Sequence, residues 1–441
     1  MANSYLNRTV SSASNRRTFT FSAWIKRSKL GTVQSVIGAD SGGGTNFGIQ
    51  FQTNDTLAVF QGSSTFLVTT QVFKDTSAWY HLVLAVDTTN STADNRVRLY
   101  NNGTEITSFG TRNNPSVNTD LAWNNNVDNT VGADKPTSGV RNYFDGYISH
   151  AANVDGQQLA PTVFGETDST SGIWKFKSPS GVTWGTNGFH LKFENSGALG
   201  TDSSGNSNTF TVNGNLKQAL DTPSNVFCTL NPLNQTNSGY VFSNGNTKGT
   251  VSGAWLGGTG TLAMSSGKYY WEVKYGSGNY GIGLAGWGTP STKTSDVSDA
   301  NYGYIGRYTG GYELFQNSGQ PYKLNASTNN GNYGTQASAG DIIMVAFDAD
   351  NSKLYTGLNG TWNNSSDPAN GTSPMYTVTS GYAYTPSASI EEGVLEFNFG
   401  NGYFGTTPIS SAGSNGNGSL FEYDVPSGFY ALNTKNINTY G

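Results

Sequence analysis

The stretch Trp79-Tyr-His-Leu-Val-Leu-Ala-Val-Asp87 is an almost continuous apolar run that ends in an aspartate. Short apolar runs bounded by turn residues are typical of strands that are buried on both faces. After a polar loop, Arg96-Val-Arg-Leu-Tyr100 leads into Asn101-Asn-Gly103, a sequence that favours a hairpin. This part of the chain is therefore predicted to form antiparallel β-structure.

The second half of the chain has the same order of features. Asp341-Ile-Ile-Met-Val-Ala-Phe-Asp348 is a second apolar run that ends in an aspartate, and Lys353-Leu-Tyr355 then reaches Asn359-Gly360. The two halves share this pattern rather than their residues. The pattern indicates that they form similar sandwiches.

Strand-like periodicity extends through almost the whole sequence. Apolar runs of about five to eight residues end at Gly, Asn, Asp or Pro, and no long helix is predicted. We therefore predict an all-β fold of two antiparallel, jelly-roll-like β-sandwiches joined by an irregular segment. Residues 1–160 would form the first sandwich, 161–239 the irregular connecting segment with short strands, 240–405 the second sandwich, and 406–441 a C-terminal extension.

Composition excludes several classes of function. The chain carries 24 Lys and Arg against 29 Asp and Glu, a formal net charge of −5, so nucleic-acid binding is not expected. Its single cysteine, Cys228, excludes an intrachain disulfide, and His81, His150 and His190 are too scattered to indicate a zinc site. The sequence has neither an apolar run that could cross a membrane nor a secretory signal pattern.

Five motifs of the second half stand in the order of one known family. They are Gly267-Lys-Tyr-Tyr-Trp-Glu-Val273, Gly281-Ile-Gly-Leu-Ala285, Gly340-Asp-Ile-Ile-Met-Val-Ala-Phe-Asp348, Asn359-Gly360 and Leu395-Glu-Phe-Asn-Phe-Gly400. In these motifs the chain resembles SPRY (B30.2-type) domains. The resemblance implies a bent two-sheet sandwich that binds protein partners through loops on one edge and performs no catalysis.

Four motifs of the first half point to another family. They are Phe19-Thr-Phe-Ser-Ala-Trp-Ile25, Trp79 to Asp87, Val97-Arg-Leu-Tyr-Asn-Asn-Gly103 and Phe144-Asp-Gly-Tyr-Ile148. Here the chain resembles laminin-G-like jelly rolls of the concanavalin A type. The resemblance implies binding to glycans or proteins, often with calcium. Asp40 and Asp128 are candidate calcium ligands, but the sequence assigns no metal site and requires no cofactor.

The combination of these two domains resembles virion proteins of marine tailed bacteriophages, together with Asp202-Ser-Ser-Gly-Asn206 and the tail Pro426-Ser-Gly-Phe-Tyr-Ala-Leu-Asn-Thr434. The resemblance implies a non-catalytic protein located in the virion, a tail fibre or adhesin that recognises a host surface glycan or protein. Its other partners would be further virion proteins and copies of itself. The alternatives are a structural or head-decoration subunit and, less favoured, a polysaccharide-cleaving enzyme.

The residues that catalysis requires are sparse. Glycosidases need two positioned carboxylates, and the nearest cluster is Glu391, Glu392 and Glu396. Strand alternation places Glu392 and Glu396 opposite Leu395, Phe397 and Phe399, which predicts an ordinary solvent-facing surface. No Gly-x-Ser-x-Gly nucleophile motif occurs. We therefore predict that the protein is not an enzyme.

The candidate binding residues are aromatic side chains and one arginine in loops. The Gly-rich segment Asn301 to Tyr312 carries Tyr302, Tyr304, Arg307, Tyr308 and Tyr312, residue types that are common in binding loops. These tyrosines could instead be core residues of two strands joined at Gly310-Gly311. Exposed contacts are also predicted at tryptophans in loops, which are Trp123, Trp287 and Trp362. Core positions are predicted for Trp24, Trp79, His81, Cys228 and Trp271.

Overall fold

A computed structural model describes residues 3–40, 45–135, 139–235, 238–287 and 303–441. The chain divides into two compact units, Met1–Gln218 and Ala219–Gly441. The predicted all-β fold is confirmed, since α1 (Thr434–Tyr440) is the only α-helix in the described ranges. No helix in those ranges is long and apolar enough to span a membrane.

Unit 1 contains sixteen strands in its described part. They are β1 (Tyr5–Thr9), β2 (Thr18–Arg27), β3 (Gln34–Asp40), β4 (Phe47–Phe51), β5 (Thr56–Gln61), β6 (Ser64–Val72), β7 (Tyr80–Asp87), β8 (Val97–Asn101), β9 (Thr104–Glu105), β10 (Phe109–Arg112), β11 (Asp128–Val131), β12 (Gly146–Asp155), β13 (Gly165–Thr167), β14 (Trp174–Phe176), β15 (Phe189–Leu191) and β16 (Thr211–Asn213).

Two sheets of unit 1 face each other across one apolar core. One sheet has the order β10-β6-β5-β4-β3-β11-β1-β16, and the other has the order β15-β12-β2-β7-β8-β9. Alternate residues of β2 and β4, among them Phe19 and Phe47, enter the same core cluster. Their rings meet edge to face with centroids 5.9 Å apart, so side chains from the two sheets interdigitate as in a β-sandwich.

The expected connecting segment, residues 161–239, is shared between the two units. β15 pairs with β12, and β16 pairs with β1, so the first part of this segment extends both sheets of unit 1. The residues from Ala219 onward belong to unit 2.

Unit 2 contains the other sixteen strands of the described ranges. They are β17 (Leu230–Gln235), β18 (Val241–Ser243), β19 (Lys248–Val251), β20 (Leu256–Gly260), β21 (Lys268–Trp287), β22 (Gly311–Gln316), β23 (Tyr322–Asn325), β24 (Thr328–Asn332), β25 (Ile342–Asp348), β26 (Lys353–Leu358), β27 (Thr361–Trp362), β28 (Tyr376–Thr377), β29 (Ala383–Asn398), β30 (Tyr403–Phe404), β31 (Thr407–Pro408) and β32 (Tyr430–Ala431).

Two long strands, β21 and β29, pair along almost their whole length and supply both layers of unit 2. The first part of β21 pairs with β25, and its last part pairs with β22. Between these parts the register with β29 shifts at Tyr275 to Asn279. Side chains from both parts, including Trp271 and Ile282, meet in one core cluster, so the strand pair bends over a shared core.

Glycines permit this bend because the two backbones approach very closely there. A Cβ at Gly278 would lie 2.4 Å from the Glu391 carbonyl oxygen, and a Cβ at Gly393 would lie 2.0 Å from that of Ser277. Gly278 also has a φ of +85°, which side-chain-bearing residues rarely adopt. Larger residues at these positions would separate the strands that hold the layers together.

The pattern shared by the two halves of the sequence corresponds to the same hydrogen-bonded Asn-Gly turn in both units. Asn102 follows β8 with a φ of 47°. Its backbone N–H donates to the His81 carbonyl at 2.9 Å, and its side-chain Oδ1 accepts from the His81 N–H at 2.8 Å. Asn359 follows β26 with a φ of 48° and bonds Ile342 in the same way, at 2.9 Å in both cases. The hairpin expected at Asn101-Asn-Gly103 is confirmed, and Asn359-Gly360 forms a turn of the same kind between β26 and β27.

Within unit 2, a buried carboxyl group, Glu272 of β21, binds residues of the C-terminal extension to the sheet. Its oxygens accept hydrogen bonds from the backbone N–H groups of Glu422 and Tyr423, the Tyr270 hydroxyl and the Asn398 amide at 2.8–3.2 Å. Burial nevertheless raises the pKa of Glu272 to about 7, because loss of hydration outweighs these four hydrogen bonds.

Glu272→Gln should therefore loosen the extension. The amide keeps one acceptor oxygen but turns an NH₂ group toward two donors, which should cost about 2 kcal/mol or more of unfolding free energy. Urea unfolding would measure this loss, and limited proteolysis should cut residues 406–441 sooner. Glu396→Gln is the matched control, because Glu396 makes a partly exposed ion pair with Lys248. Equal stability of the two variants would contradict the role of Glu272.

Candidate recognition surface

Residues 303–309 form a turn over β22, on the face opposite the core. Gly306 N–H donates to Glu313 Oε2 at 2.9 Å, and the Ser389 hydroxyl donates to Glu313 Oε1 at 2.6 Å. The Ser389 oxygen in turn accepts from Ile305 N–H at 2.9 Å. Glu313 is fully buried, which raises its pKa to about 7. A carboxyl group of the sheet therefore fixes the position of the turn.

This turn presents Tyr304 and Arg307 beside other aromatic side chains. The Arg307 guanidinium lies 4.8 Å from the centroid of the Tyr304 ring. Tyr304 in turn contacts Trp255 and Phe315, with centroids 5.6 and 5.0 Å apart, and Tyr322 lies 5.5 Å from Phe315. We call Trp255, Tyr304, Arg307 and Tyr322 the aromatic–arginine surface. Arg307 is exposed and the three rings are half-buried, so each of them retains some solvent-accessible surface.

Two other predicted residues of the same segment point into the protein. Tyr308 is 8% exposed. Tyr312 is 6% exposed and belongs to the core, where its hydroxyl lies 2.9 Å from Thr379 Oγ1. The alternative interpretation of these tyrosines as core residues thus applies to Tyr312, although a 3-10 turn at Ile305–Arg307 replaces the first of the two expected strands. Tyr302 lies outside the described residues.

The structure places the predicted tryptophans in separate environments. Trp287 ends β21, is 36% exposed, and donates from Nε1 to Thr385 Oγ1 at 3.0 Å. Trp362 is half-buried in a different cluster, with its ring 6.4 Å from that of Tyr270. Both retain accessible surface, as predicted, but neither belongs to the aromatic–arginine surface.

The expectation of a surface contact at Trp123 is wrong. Trp123 is completely buried in the core of unit 1. Its indole N–H donates to Asn153 Oδ1 at 3.0 Å, and Asn153 donates to Asn124 at 2.9 Å. The asparagine-rich run that suggested a surface loop therefore begins with a buried residue, Asn124, and becomes exposed only at Asn126. The predicted core positions of Trp24, Trp79, His81, Cys228 and Trp271 are confirmed.

His81 is held in a form that does not suit a catalytic base. Trp174 Nε1 donates to its Nδ1 at 2.9 Å, so Nε2 carries the proton and faces Ser22 Oγ at 2.8 Å. Burial lowers the pKa of His81 to about 3. Ser22 therefore faces the Nε2–H group of His81, which donates a hydrogen bond and cannot accept the serine proton.

The other titratable candidates are also explained by local structure. Glu396 pairs with Lys248 at 3.1 Å, and Glu392 is exposed at the bend of β29, while Leu395, Phe397 and Phe399 are buried as the alternation predicts. His150 and His190 lie beside each other with ring centroids 5.7 Å apart. Burial lowers both of their pKa values to about 4.

The structure brings the candidate calcium ligands Asp40 and Asp128 opposite each other on β3 and β11. Asp128 already accepts hydrogen bonds from Thr9 and Lys135, and the lysine neutralises its charge. Within the described ranges, no three His, Cys, Asp or Glu side chains form a group that could hold a metal ion.

Sequence reasoning missed a groove on the outer face of β4, β5 and β6. Its volume is about 330 Å³, and Gln50, Asp134 and Arg141 are among the residues that line it. Part of the signal was present, because alternation over residues 46–52 puts Phe47, Ile49 and Phe51 inside and Gln50 outside. The contribution of Asp134 and Arg141 comes from a distant part of the sequence.

Comparison with known proteins identifies the fold of the first part of the chain. Residues 2–157 match the family model of the concanavalin A-like lectin/glucanases superfamily, of the laminin G type. No curated protein matches the chain. Since the family model covers most of unit 1, this unit contains a concanavalin A-like domain.

Similar solved structures include the PSpry domain of TRIM65, the SPRY domain of human HERC1 and a heptameric SAP-like pentraxin from Limulus polyphemus. Their sequence identities are 15%, 13% and 15%, and their TM-scores are 0.29, 0.25 and 0.29. The alignments cover 39%, 38% and 41% of this chain and 91%, 96% and 82% of those chains. At these TM-scores the three structures contribute nothing to the assignment of a function.

Proposed function

We propose that this chain is a non-catalytic surface protein of a tailed-bacteriophage virion, a tail fibre or related adhesin that recognises a host surface glycan or protein. The concanavalin A-like domain supports a binding role, because loops on such rigid sandwiches commonly carry recognition sites. The resemblance of the whole chain to marine phage proteins supports the location in the virion. Fold alone does not set the function, so the proposal depends on the chemistry of specific surfaces.

The observation that carries the proposal is the aromatic–arginine surface. Arg307 and the rings of Trp255, Tyr304 and Tyr322 offer flat apolar area next to hydrogen-bond donors. Tyrosine, tryptophan and arginine contribute most often to binding hot spots. The buried Glu313 fixes the turn beneath them, so little conformational entropy is lost when a partner binds.

Binding without catalysis agrees with the titratable groups of the protein. His81 is a neutral core residue that donates to Ser22, and Glu396 is bound to Lys248. Virion assembly would place the protein beside other virion proteins and further copies of itself. Repeated copies would multiply a weak individual contact into strong attachment of the particle.

One observation favours the alternative role, a structural or head-decoration subunit. Leu233 of β17 and Val241 of β18 expose apolar side chains, at 59% and 56%. Such residues would suit contacts with neighbouring virion subunits. This role predicts assembly onto the particle without affinity for cells.

Replacing Tyr304 and Arg307 together by alanine should weaken attachment to host cells at least tenfold. The change removes the cation–π pair and two contact side chains while the Glu313 anchor stays in place. The measurement is binding of labelled, multivalently displayed protein to a panel of marine bacterial strains, before and after periodate oxidation. Periodate-sensitive binding indicates a glycan, and resistant binding indicates a protein.

The matched control is Tyr440→Ala, because Tyr440 is a 47% exposed tyrosine of the same unit outside the aromatic–arginine surface. Unchanged binding by a correctly folded Tyr304→Ala/Arg307→Ala protein would remove this surface from the mechanism. Absence of binding to any strain by the unaltered protein would favour the structural role.

The stability of the turn should depend on pH through Glu313. The folded carboxyl keeps its proton up to about pH 7, whereas in the unfolded chain it ionises near its ordinary pKa of 4.5. The protonated Glu313 therefore stabilises the folded protein fully below pH 4.5, and this stabilisation is lost as the pH rises through about 7. Glu313→Gln removes this titration. The unfolding free energy of the variant should therefore rise by about 3 kcal/mol relative to that of the parent when the pH changes from 5 to 8.

Urea unfolding at pH 5, 6, 7 and 8 would measure this difference. Glu272 titrates in both proteins and cancels from the comparison. Glu396→Gln, at a partly exposed ion pair, is the control for replacing a glutamate elsewhere in unit 2. If the difference in unfolding free energy between Glu313→Gln and the parent did not change with pH, Glu313 would ionise normally in the folded protein.

A further inference from the structure

Four of the side chains that line the groove on the outer face of β4, β5 and β6 are amides. Asn46, Gln50, Gln52 and Asn142 all contribute to it. None of these four side-chain amides has a hydrogen-bond partner among the described residues. Elsewhere in unit 1, amides such as those of Asn124, Asn153 and Asn187 are used in hydrogen bonds.

Strand pairing places Gln50 in one row with two apolar residues across the sheet. Gln50 of β4 stands opposite Ala58 of β5, and Ala58 stands opposite Val68 of β6. The ring of Phe60 covers Gly48 on the same face, since a Cβ at Gly48 would lie 2.8 Å from it. The floor of the groove is thus apolar, and amides stand at its side.

The charged residues of the groove neutralise each other. Arg141 Nε lies 3.0 Å from Asp134 Oδ2, and backbone hydrogen bonds in both directions hold the two residues together. The Asp134 side chain is 1% exposed, and its Oδ1 has no hydrogen-bond partner among the described residues. Among the described residues that line the groove, Asp134 and Arg141 are the only charged ones, and their opposite charges balance.

We propose that this groove binds a neutral oligosaccharide, which deepens and rests on the proposed recognition function. Amides both donate to and accept from sugar hydroxyls. The apolar floor suits the C–H face of a pyranose ring. The volume of about 330 Å³ lies at the lower end for ligand sites and fits a short segment of one or two sugar rings. The balanced Asp134–Arg141 pair offers no excess positive charge to a sulfated or uronate glycan.

The test uses the full chain on an array of neutral oligosaccharides built from glucose, mannose, galactose or N-acetylglucosamine, with sulfated and uronate oligosaccharides beside them. The proposal predicts that the protein binds at least one neutral oligosaccharide of the array. Calorimetry would then measure the affinity for that sugar. Gln50→Ala/Gln52→Ala should weaken the affinity at least tenfold, because several hydrogen bonds to hydroxyls are lost. Gln71→Ala/Asn126→Ala, which removes two exposed amides outside the groove, should leave the affinity unchanged.

Binding of anionic members alone, binding of no member, or equal affinity of the two double variants would overturn the site. The cell-attachment assay separates this outcome from failure of the proposed function. If the groove is wrong but the function holds, Gln50→Ala/Gln52→Ala protein attaches to cells normally. If the function is wrong, the unaltered protein binds the sugar on the array but attaches to no cells.

Discussion

The close approach of β21 and β29 at Gly278 and Gly393 is the constraint on which the rest of unit 2 depends. With no side chain between them, the two backbones bend together, so a single strand pair serves both layers of the sandwich. The last part of β21 then holds β22, and β22 carries Glu313. The turn with Tyr304 and Arg307 is fixed to that glutamate and to Ser389 of β29. The geometry of the aromatic–arginine surface therefore follows from the bend.

Alternation and turn residues were enough to predict the fold class and much of the core. The apolar positions of β2 and the last part of β29 are buried where period-two alternation puts them. The same reasoning failed at Trp123, because local polarity suggested a loop on the surface. Asn124 and Asn153 are themselves buried and satisfy one another and the indole. The burial of Trp123 depends on hydrogen bonds between residues that are distant in the sequence, and a local sequence pattern does not reveal such bonds.

The two buried glutamates show a second limit of sequence reasoning. Glu272 and Glu313 stand in strands as ordinary alternating charges, indistinguishable from the accessible Glu396. Local partners, Tyr270 and Gly306, supply only part of their hydrogen bonds, and the others come from residues more than 70 positions away, such as Tyr423 and Ser389. The same holds for the groove, where Gln50 could be assigned to the outer face but its convergence with Asp134 and Arg141 could not. Site residues drawn from single loops were predictable only in part, since the surfaces are assembled from several strands.

The aromatic–arginine surface and the groove are chemically different, which bears on how recognition would work in so weakly charged a protein. Arg307 approaches Tyr304 at the protein surface, where guanidinium and rings can contact an extended partner. In the groove, Arg141 is paired with Asp134, and amides dominate. A low net charge limits long-range electrostatic attraction as a source of affinity. Selectivity must then come from shape and hydrogen bonds at short range, and such contacts gain strength when many copies act together.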